Sequence, residues 1–262
     1  MIFPVAMQQG LAVVTIDRPP VNAINPDFIA ELTALCERLS GDGAVRAVLF
    51  RSAIPGRYIA GADLSGVLQA DSDLPVTERL RQLNKEWRKA FYALEALPVP
   101  TVAAITGHCL GGGLEFALSC DYRLMLDDAK ALVGLTEINL GLFPGAGGTY
   151  RLPRVVGVAK AKDMIYRGLR LLAPEAKAIG LVHEIWGPEE FESQATAFAL
   201  SLSKGPTQAL KAAKAAIQAG LTDQSWADQL EEDEFVRIVQ TADAMEGLTA
   251  FWEKRPPQFK GR

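Results

Sequence analysis

The chain has 262 residues, 49% of them hydrophobic and 22% charged, which excludes wholesale disorder and fibrous architectures. Its 27 basic and 31 acidic side chains give a formal charge of −4, so no basic excess invites nucleic acid or an anionic membrane. The 23 glycines are only a mild excess, and where they cluster matters more than how many there are.

Residues 11–17, LAVVTID, read as a strand that Arg18-Pro19-Pro20 ends. Asn25 and Pro26 then supply an N-cap and a first helical residue. Phe28, Leu32, Leu35 and Leu39 follow as an apolar stripe that Gly41-Asp42-Gly43 stops. AVRAVLFR (44–51) is a second strand, so the chain opens in the strand, helix, strand order of an α/β protein. A small-residue loop covers 53–66. The amphipathic stretch 75–96 carries Leu80, Leu83, Trp87, Phe91 and Leu94 on one helical face, and Pro98 and Pro100 end it. TVAAIT (101–106) reads as a short buried strand running straight into GHCLGGGLEFAL, and 122–126 and 131–134 as further strands. From about 154 onward the pattern is helical, apart from LVHEIW (181–186). This divides the chain into an α/β core over 1–190 and a helical part over 191–262, with no internal sequence repeat.

Cys36, Cys109 and Cys120 form no C-x-x-C pair, so a disulfide framework is not expected and a reducing, cytoplasmic setting is. With His108 and His183 as the two histidines, no cluster has zinc-ligand spacing, and no metal is expected. The first residues carry no basic, then apolar, leader pattern, and no run of ~18 apolar residues suits a bilayer.

Three small-residue clusters stand far apart: Ala60-Gly61-Ala62-Asp63, Gly111-Gly112-Gly113, and Pro144-Gly145-Ala146-Gly147-Gly148. None is a phosphate loop. No lysine follows in the P-loop register, and the G-x-G-x-x-G frames end on Phe116 and Tyr150. The second cluster joins a buried strand to a helix, where backbone N–H groups lack intrahelical partners and glycine admits an outside oxygen. Such a junction can hold a developing oxyanion, and the Ala60–Asp63 loop can supply a second N–H. Taken alone, each loop also reads as tight packing. Glu115 and Glu137 both lie in apolar surroundings, where a carboxylate must be paired, placed at a cleft or shifted in pKa. Two carboxylates can handle a water and a proton together; singly, each also reads as a solvated surface acid. His108 and Cys109 have no nucleophile partner and read as packing residues, and Asp63 as a helix cap or a ligand-facing acid.

GADL after the 44–51 strand, ITGHCLGGGLEFALSCDYRL, VGLTEINLGLFPGAGGTYRLPRVVG, VTIDRPPVNAI and EGLTAFWEKRPPQFKGR together resemble the enoyl-CoA hydratase/isomerase, or crotonase, family. The resemblance covers nearly the whole chain. It implies an α/β crotonase-like spiral of repeated ββα units with a C-terminal helical trimerisation region, assembled as a homotrimer or a dimer of trimers. It also implies an acyl-CoA thioester substrate, with CoA arriving as part of the substrate and no separate cofactor. Ala62 and Gly112 take the places of the oxyanion donors. Glu115 takes that of the water-activating acid and Glu137 that of the C2 proton donor. Ala60, Asp63, Leu64 and Gly111 fall in the substrate-binding loops. Arg57, Lys254 and Lys260 fall where basic residues meet CoA phosphates. Keeping both glutamates favours hydration of a trans-2-enoyl-CoA over isomerisation. Other acyl-CoA chemistries of the family, and a non-catalytic or RNA-binding role, are the rivals. Thr136 departs from the family's usual proline before Glu137, and the stretch Leu126–Lys130 is about two residues long for a hydratase.

Overall fold

The computed structural model describes residues 1–63, 75–222, 230, 233–235, 237, 238 and 240–262. Its strands are β1 (Val5–Gln8), β2 (Leu11–Ile16), β3 (Ala47–Ser52), β4 (Gly56–Ile59), β5 (Thr101–Ile105), β6 (Gly107–Leu110), β7 (Tyr122–Leu126), β8 (Val133–Gly134) and β9 (Glu184–Trp186). The helices are α1 (Pro26–Gly41), α2 (Val76–Glu95), α3 (Gly112–Leu118), α4 (Gly148–Val156), α5 (Val158–Arg167), α6 (Ala173–Ala178), α7 (Phe191–Ser203), α8 (Thr207–Gly220) and α9 (Ala242–Glu253), with a 3-10 turn at Glu137–Leu140.

Six strands form one sheet in the order β1-β2-β3-β5-β7-β9, and β4-β6-β8 form a second. β1 and β2 are an antiparallel hairpin closed by Gln9 and Gly10, both at positive φ, the geometry a two-residue hairpin turn requires. Among the described residues the other strand-to-strand pairings are parallel. Consecutive strands alternate between the sheets: β3 then β4, β5 then β6, β7 then β8. A helix follows each pair, so the chain winds as stacked ββα turns.

The central strands are apolar on both faces because both faces are covered. Val48, Phe50, Ala103, Ile105 and Met125 pack with α1, α2 and α3 in the main core. Leu49, Val102, Ala104 and Leu124 point the other way, onto Phe191, Ala195 and Ala199 of α7. The boundary drawn at 190/191 therefore falls just before a helix that packs on the sheet. Helix α1 starts as its sequence dictates: Asn25 Oδ1 accepts the Phe28 N–H at 2.9 Å, with Pro26 in the first turn. On α2, Trp87, Phe91 and Leu94 are buried, but Leu80 is 37% exposed and does not join the core face.

Three strands were not foreseen. β1 has mostly exposed side chains and no apolar alternation. β4 lies inside the segment read as loop. β6 is separated from β5 by Thr106 alone, and it falls in the stretch after 101–106 that reads as the lead into a helix rather than as a step between sheets. Gly107 makes that step feasible: a Cβ there would stand 2.0 Å from the Gly56 carbonyl carbon. Among the described residues, no helix is long and apolar enough to cross a membrane.

Candidate active site

The oxyanion loop is built by a pairing remote in sequence. Ile24 donates its N–H to Gly61 O at 2.8 Å and accepts the Asp63 N–H at 2.8 Å. Those bonds bracket Ala62 and leave its own N–H directed away from Ile24. Gly112 opens α3, so its N–H has no intrahelical acceptor. A Cβ on Gly112 would stand 4.0 Å from the Ala62 nitrogen, 3.1 Å from Ile24 Cδ1 and 3.8 Å from Trp87 Cζ3. Among the described residues neither N–H has a protein acceptor. The structure thus brings Ala62 and Gly112 together as two adjacent donors. Gly111 forms the bend: at φ +54°, it donates to Gly134 O at 2.8 Å while its carbonyl accepts the Leu114 and Glu115 N–H groups.

Helix α3 is short but rigidly held. Phe116 is met edge-on by Phe28, Phe50, Tyr58 and Phe91, with ring centroids 6.2, 5.3, 6.2 and 6.1 Å away. At the C-terminal end, buried Arg123 donates to Ala117 O at 3.2 Å and Cys120 O at 2.8 Å, bracing the last turn and the residues that follow it. One residue before Phe116, and so about 100° round the helix, Glu115 faces the 144–148 loop. It is 2% exposed. Its Oε1 accepts the Ala146 and Gly148 N–H groups, both at 2.8 Å. Among the described residues Oε2 has no hydrogen-bond partner and is left for a ligand. Burial pushes its pKa up, and the two amide bonds and the nearby Arg151 charge oppose that rise.

Glu137 opens the 3-10 turn and comes to the same bend: a Cβ on Gly111 would stand 3.2 Å from Glu137 Oε1. Its Oε2 is buried and has no partner among the described residues. Burial, with the negative charge of Glu115 as a smaller cause, pushes Glu137 up to about 7. Thr136 sits at φ −105°, outside proline's narrow range, so the departure from the family's proline accommodates the local backbone. The long stretch before β8 closes in a turn where the Ala131 N–H donates to Asp128 O.

The raised pKa of Glu137 has a consequence for stability. In the unfolded chain this carboxyl titrates at its ordinary 4.5, in the folded chain at about 7. As pH rises through that window the unfolded state loses the proton first, so folding stability falls. Glu137→Gln removes the dependence. Its advantage in thermal unfolding over the parent should grow between about pH 4.5 and 7, by up to about 3 kcal/mol. Parallel melting curves across that range would contradict the assignment.

The other expected site residues divide. Ala60 donates to Val21 O at 3.2 Å and supports the oxyanion loop. Asp63 pairs with Arg18 at 3.3 Å, which also donates to Ala23 O; this ties the loop to the segment before α1. Leu64 lies outside the described residues. Arg57 on β4 stands in register with His108 on β6 and donates to its neighbour Gly56 O. His108 is half-buried on β6, where burial and the flanking Arg57 and Arg170 hold it below its usual pKa; Cys109 is fully buried, as a packed thiol is. Lys260 does not reach the site within one chain. Its N–H donates to Asp243 Oδ1 at 2.6 Å, and its neighbour Gly261 lies against Arg46 beyond the C-terminal end of α1. Ala62 pairs at the N-terminal end of that helix, about 24 Å away along its 16 residues. Lys254 closes α9 at φ +54°. Missed from the sequence were the Ala146 and Gly148 amides, whose signal was the Gly147-Gly148 pair with Gly147 at φ +112°. Among the described residues no cluster of His, Cys, Asp or Glu has a metal-binding arrangement.

Two adjacent N–H donors beside the buried Glu115 and the half-buried Glu137 make a site suited to an acyl compound that gathers negative charge on its carbonyl oxygen while a proton moves. The pattern of the enoyl-CoA hydratase/isomerase family matches residues 6–262. Enoyl-CoA hydratase domain-containing protein 2, mitochondrial, of Mus musculus is 40% identical over 263 residues, covering 97% of this chain and 86% of that protein. Methylglutaconyl-CoA hydratase, mitochondrial, of the same organism is 37% identical over 262 residues, covering 97% and 80%. The crystal structure of an enoyl-CoA hydratase from Bacillus anthracis superposes with a TM-score of 0.91 at 34% identity, covering 100% of both chains. The chain belongs to the enoyl-CoA hydratase/isomerase family, and its fold is the crotonase fold.

Proposed function

We propose that the chain hydrates a trans-2-enoyl-CoA to a 3-hydroxyacyl-CoA. The observation that carries this reading is the pairing of unlike carboxylates at one bend. Glu115 is bound by two amides that favour its ionised form, whereas Glu137 is held protonated up to about 7 with an unpartnered oxygen. The thioester oxygen enters between the Ala62 and Gly112 N–H groups, which draw electrons from C3 through the conjugated system. Glu115 Oε2 orients a water and takes its proton as the oxygen bonds to C3. The enolate-like electrons then take a proton at C2 from Glu137. One turnover leaves Glu115 protonated and Glu137 ionised, and exchange with solvent restores both. The reaction itself calls for neither a metal nor a redox group.

The hydratases among the relatives support this reading, and so does the presence of both acids. Exposed Phe251 and Trp252 on α9, 79% and 70% accessible, support assembly into the trimer or dimer of trimers the resemblance implies. Crotonyl-CoA mixed with the protein should lose its conjugated enoyl-thioester absorbance. No loss with short, branched or long enoyl chains would overturn the hydratase reading. Absorbance gained from a 3-enoyl-CoA instead would make the protein an isomerase.

A further inference from the structure

We propose that Arg151 is a positioning residue for the Glu115 carboxylate and acts through the Ala146–Gly147 peptide. The inference rests on the reading of Glu115 as the base that activates water. Glu115 Oε1 is held by the N–H groups of Ala146 and Gly148, which belong to the peptides on either side of the Ala146–Gly147 unit. Gly147 in the middle stands at φ +112°, a residue with wide backbone freedom. A displacement of that central peptide would carry the two flanking amides with it and misalign both against the carboxylate.

Arg151 holds that peptide in place. Its Nη1 donates to Ala146 O at 3.0 Å. A Cβ on Gly147 would stand 2.2 Å from the same nitrogen, so the guanidinium lies directly against the loop. The other side of the fork is fixed: Nε and Nη2 both donate to Glu95 Oε2, at 3.0 and 2.7 Å. The Tyr92 and Tyr150 rings lie 5.2 and 5.0 Å from the guanidinium carbon. Arg151 is 2% exposed, and a buried cation with one carboxylate partner and aromatic faces has little freedom to move. A rigid chain of contacts therefore runs from α2 through Glu95 and Arg151 to the loop and on to Glu115. Had Arg151 only tied α2 to α4, the ion pair with Glu95 would suffice. The third donor goes instead to the carbonyl that lies between the two clamping amides. The guanidinium charge works in the same direction, favouring the ionised form of Glu115.

The test uses Arg151→Lys and the double variant Glu95→Gln/Arg151→Met. The lysine keeps the charge but loses the fork, and the double variant leaves no unpaired buried charge. The double variant should lose kcat by about 10–100-fold, with KM for the enoyl-CoA changed less than about threefold. Its acid limb should move to higher pH, because Glu115 loses part of what keeps it ionised. Arg151→Lys should fall between it and the parent. In the ligand-free protein, the Glu115 carboxyl carbon followed by NMR should titrate at higher pH in both variants. Lost turnover with an unmoved acid limb and an unmoved Glu115 titration would reduce Arg151 to a structural tie and overturn the proposal. If the double variant fails to fold, Arg151→Lys carries the same readouts. If the parent hydrates no enoyl-CoA, the reading of the reaction fails, and the Glu115 titration still decides the role of Arg151.

Discussion

Glu115→Gln and Glu137→Gln are each expected to lower kcat by about 10²–10⁴-fold, with folding and assembly intact. Glutamine at 115 keeps an oxygen that can accept the Ala146 and Gly148 N–H groups at the Oε1 position, so the clamp survives. What it turns toward the water is an amide, which accepts no proton. Glutamine at 137 fits the same space against Gly111 but has no proton to give C2. The pH dependence separates the two roles. In the parent, kcat/KM should fall at low pH as Glu115 becomes protonated. It should fall again above about 7, where Glu137 ionises. The two sites are also coupled. The negative charge of Glu115 helps hold Glu137 up, so Glu115→Gln should lower the Glu137 pKa in a carboxyl titration of the free protein. Near-normal turnover in both variants would mean that the pair is misassigned. An unmoved Glu137 titration in Glu115→Gln would mean that the two acids do not share one site.

Both acids were legible in the sequence for a local reason. Glu115 follows three glycines at a strand-to-helix junction, and Glu137 interrupts an apolar run, so each is conspicuous within a few residues of itself. Helix α1 was legible in the same way, since Asn25 and Pro26 mark its start and the buried stripe follows at helical spacing. The remainder depends on contacts between distant segments. The Glu115 clamp joins residues 31 and 33 positions apart. The Arg151–Glu95 pair spans 56, and in sequence Arg151 is one basic residue among several on a helix. The β5-to-β6 step is not legible because the change of sheet turns on Gly107 and on its close approach to Gly56, far back in the sequence. The ββα repetition left no sequence repeat because each unit packs different neighbours: β3 and β4 support the oxyanion loop, while β5 and β6 lead into the helix that carries Glu115. Lys260 shows the converse limit. Its basic character fits a phosphate, and only the three-dimensional path of α1 places it away from the Ala62 loop of its own chain.

The glycine tract separates catalysis from folding at adjacent positions. A methyl at Gly112 would meet the flexible end of Ile24 at 3.1 Å and stand 4.0 Å from the Ala62 nitrogen. Ile24 can yield, so Gly112→Ala should fold. The methyl would nevertheless crowd the gap where a thioester oxygen must lie about 2.7–3.1 Å from both donors. Displacing that oxygen should cost about 10²–10³-fold in kcat, with a small change in Tm. A methyl at Gly113 would stand 2.1 Å from Ile59 O and 2.9 Å from its carbonyl carbon. These are backbone atoms of β4 and cannot swing aside, so Gly113→Ala must force α3 and β4 apart. Ile59 immediately precedes the Ala60–Asp63 loop, and the separation would move Ala62 away from Gly112 as well. Gly113→Ala should therefore lose stability by about 1–3 kcal/mol or more, as overpacked cores do, and lose activity with it. Measuring Tm and kcat for the two variants side by side checks the geometry. If Gly112→Ala unfolds while Gly113→Ala keeps the parent's Tm, α3 does not approach β4 as described. If Gly112→Ala keeps full turnover, the carbonyl oxygen does not bind between Ala62 and Gly112.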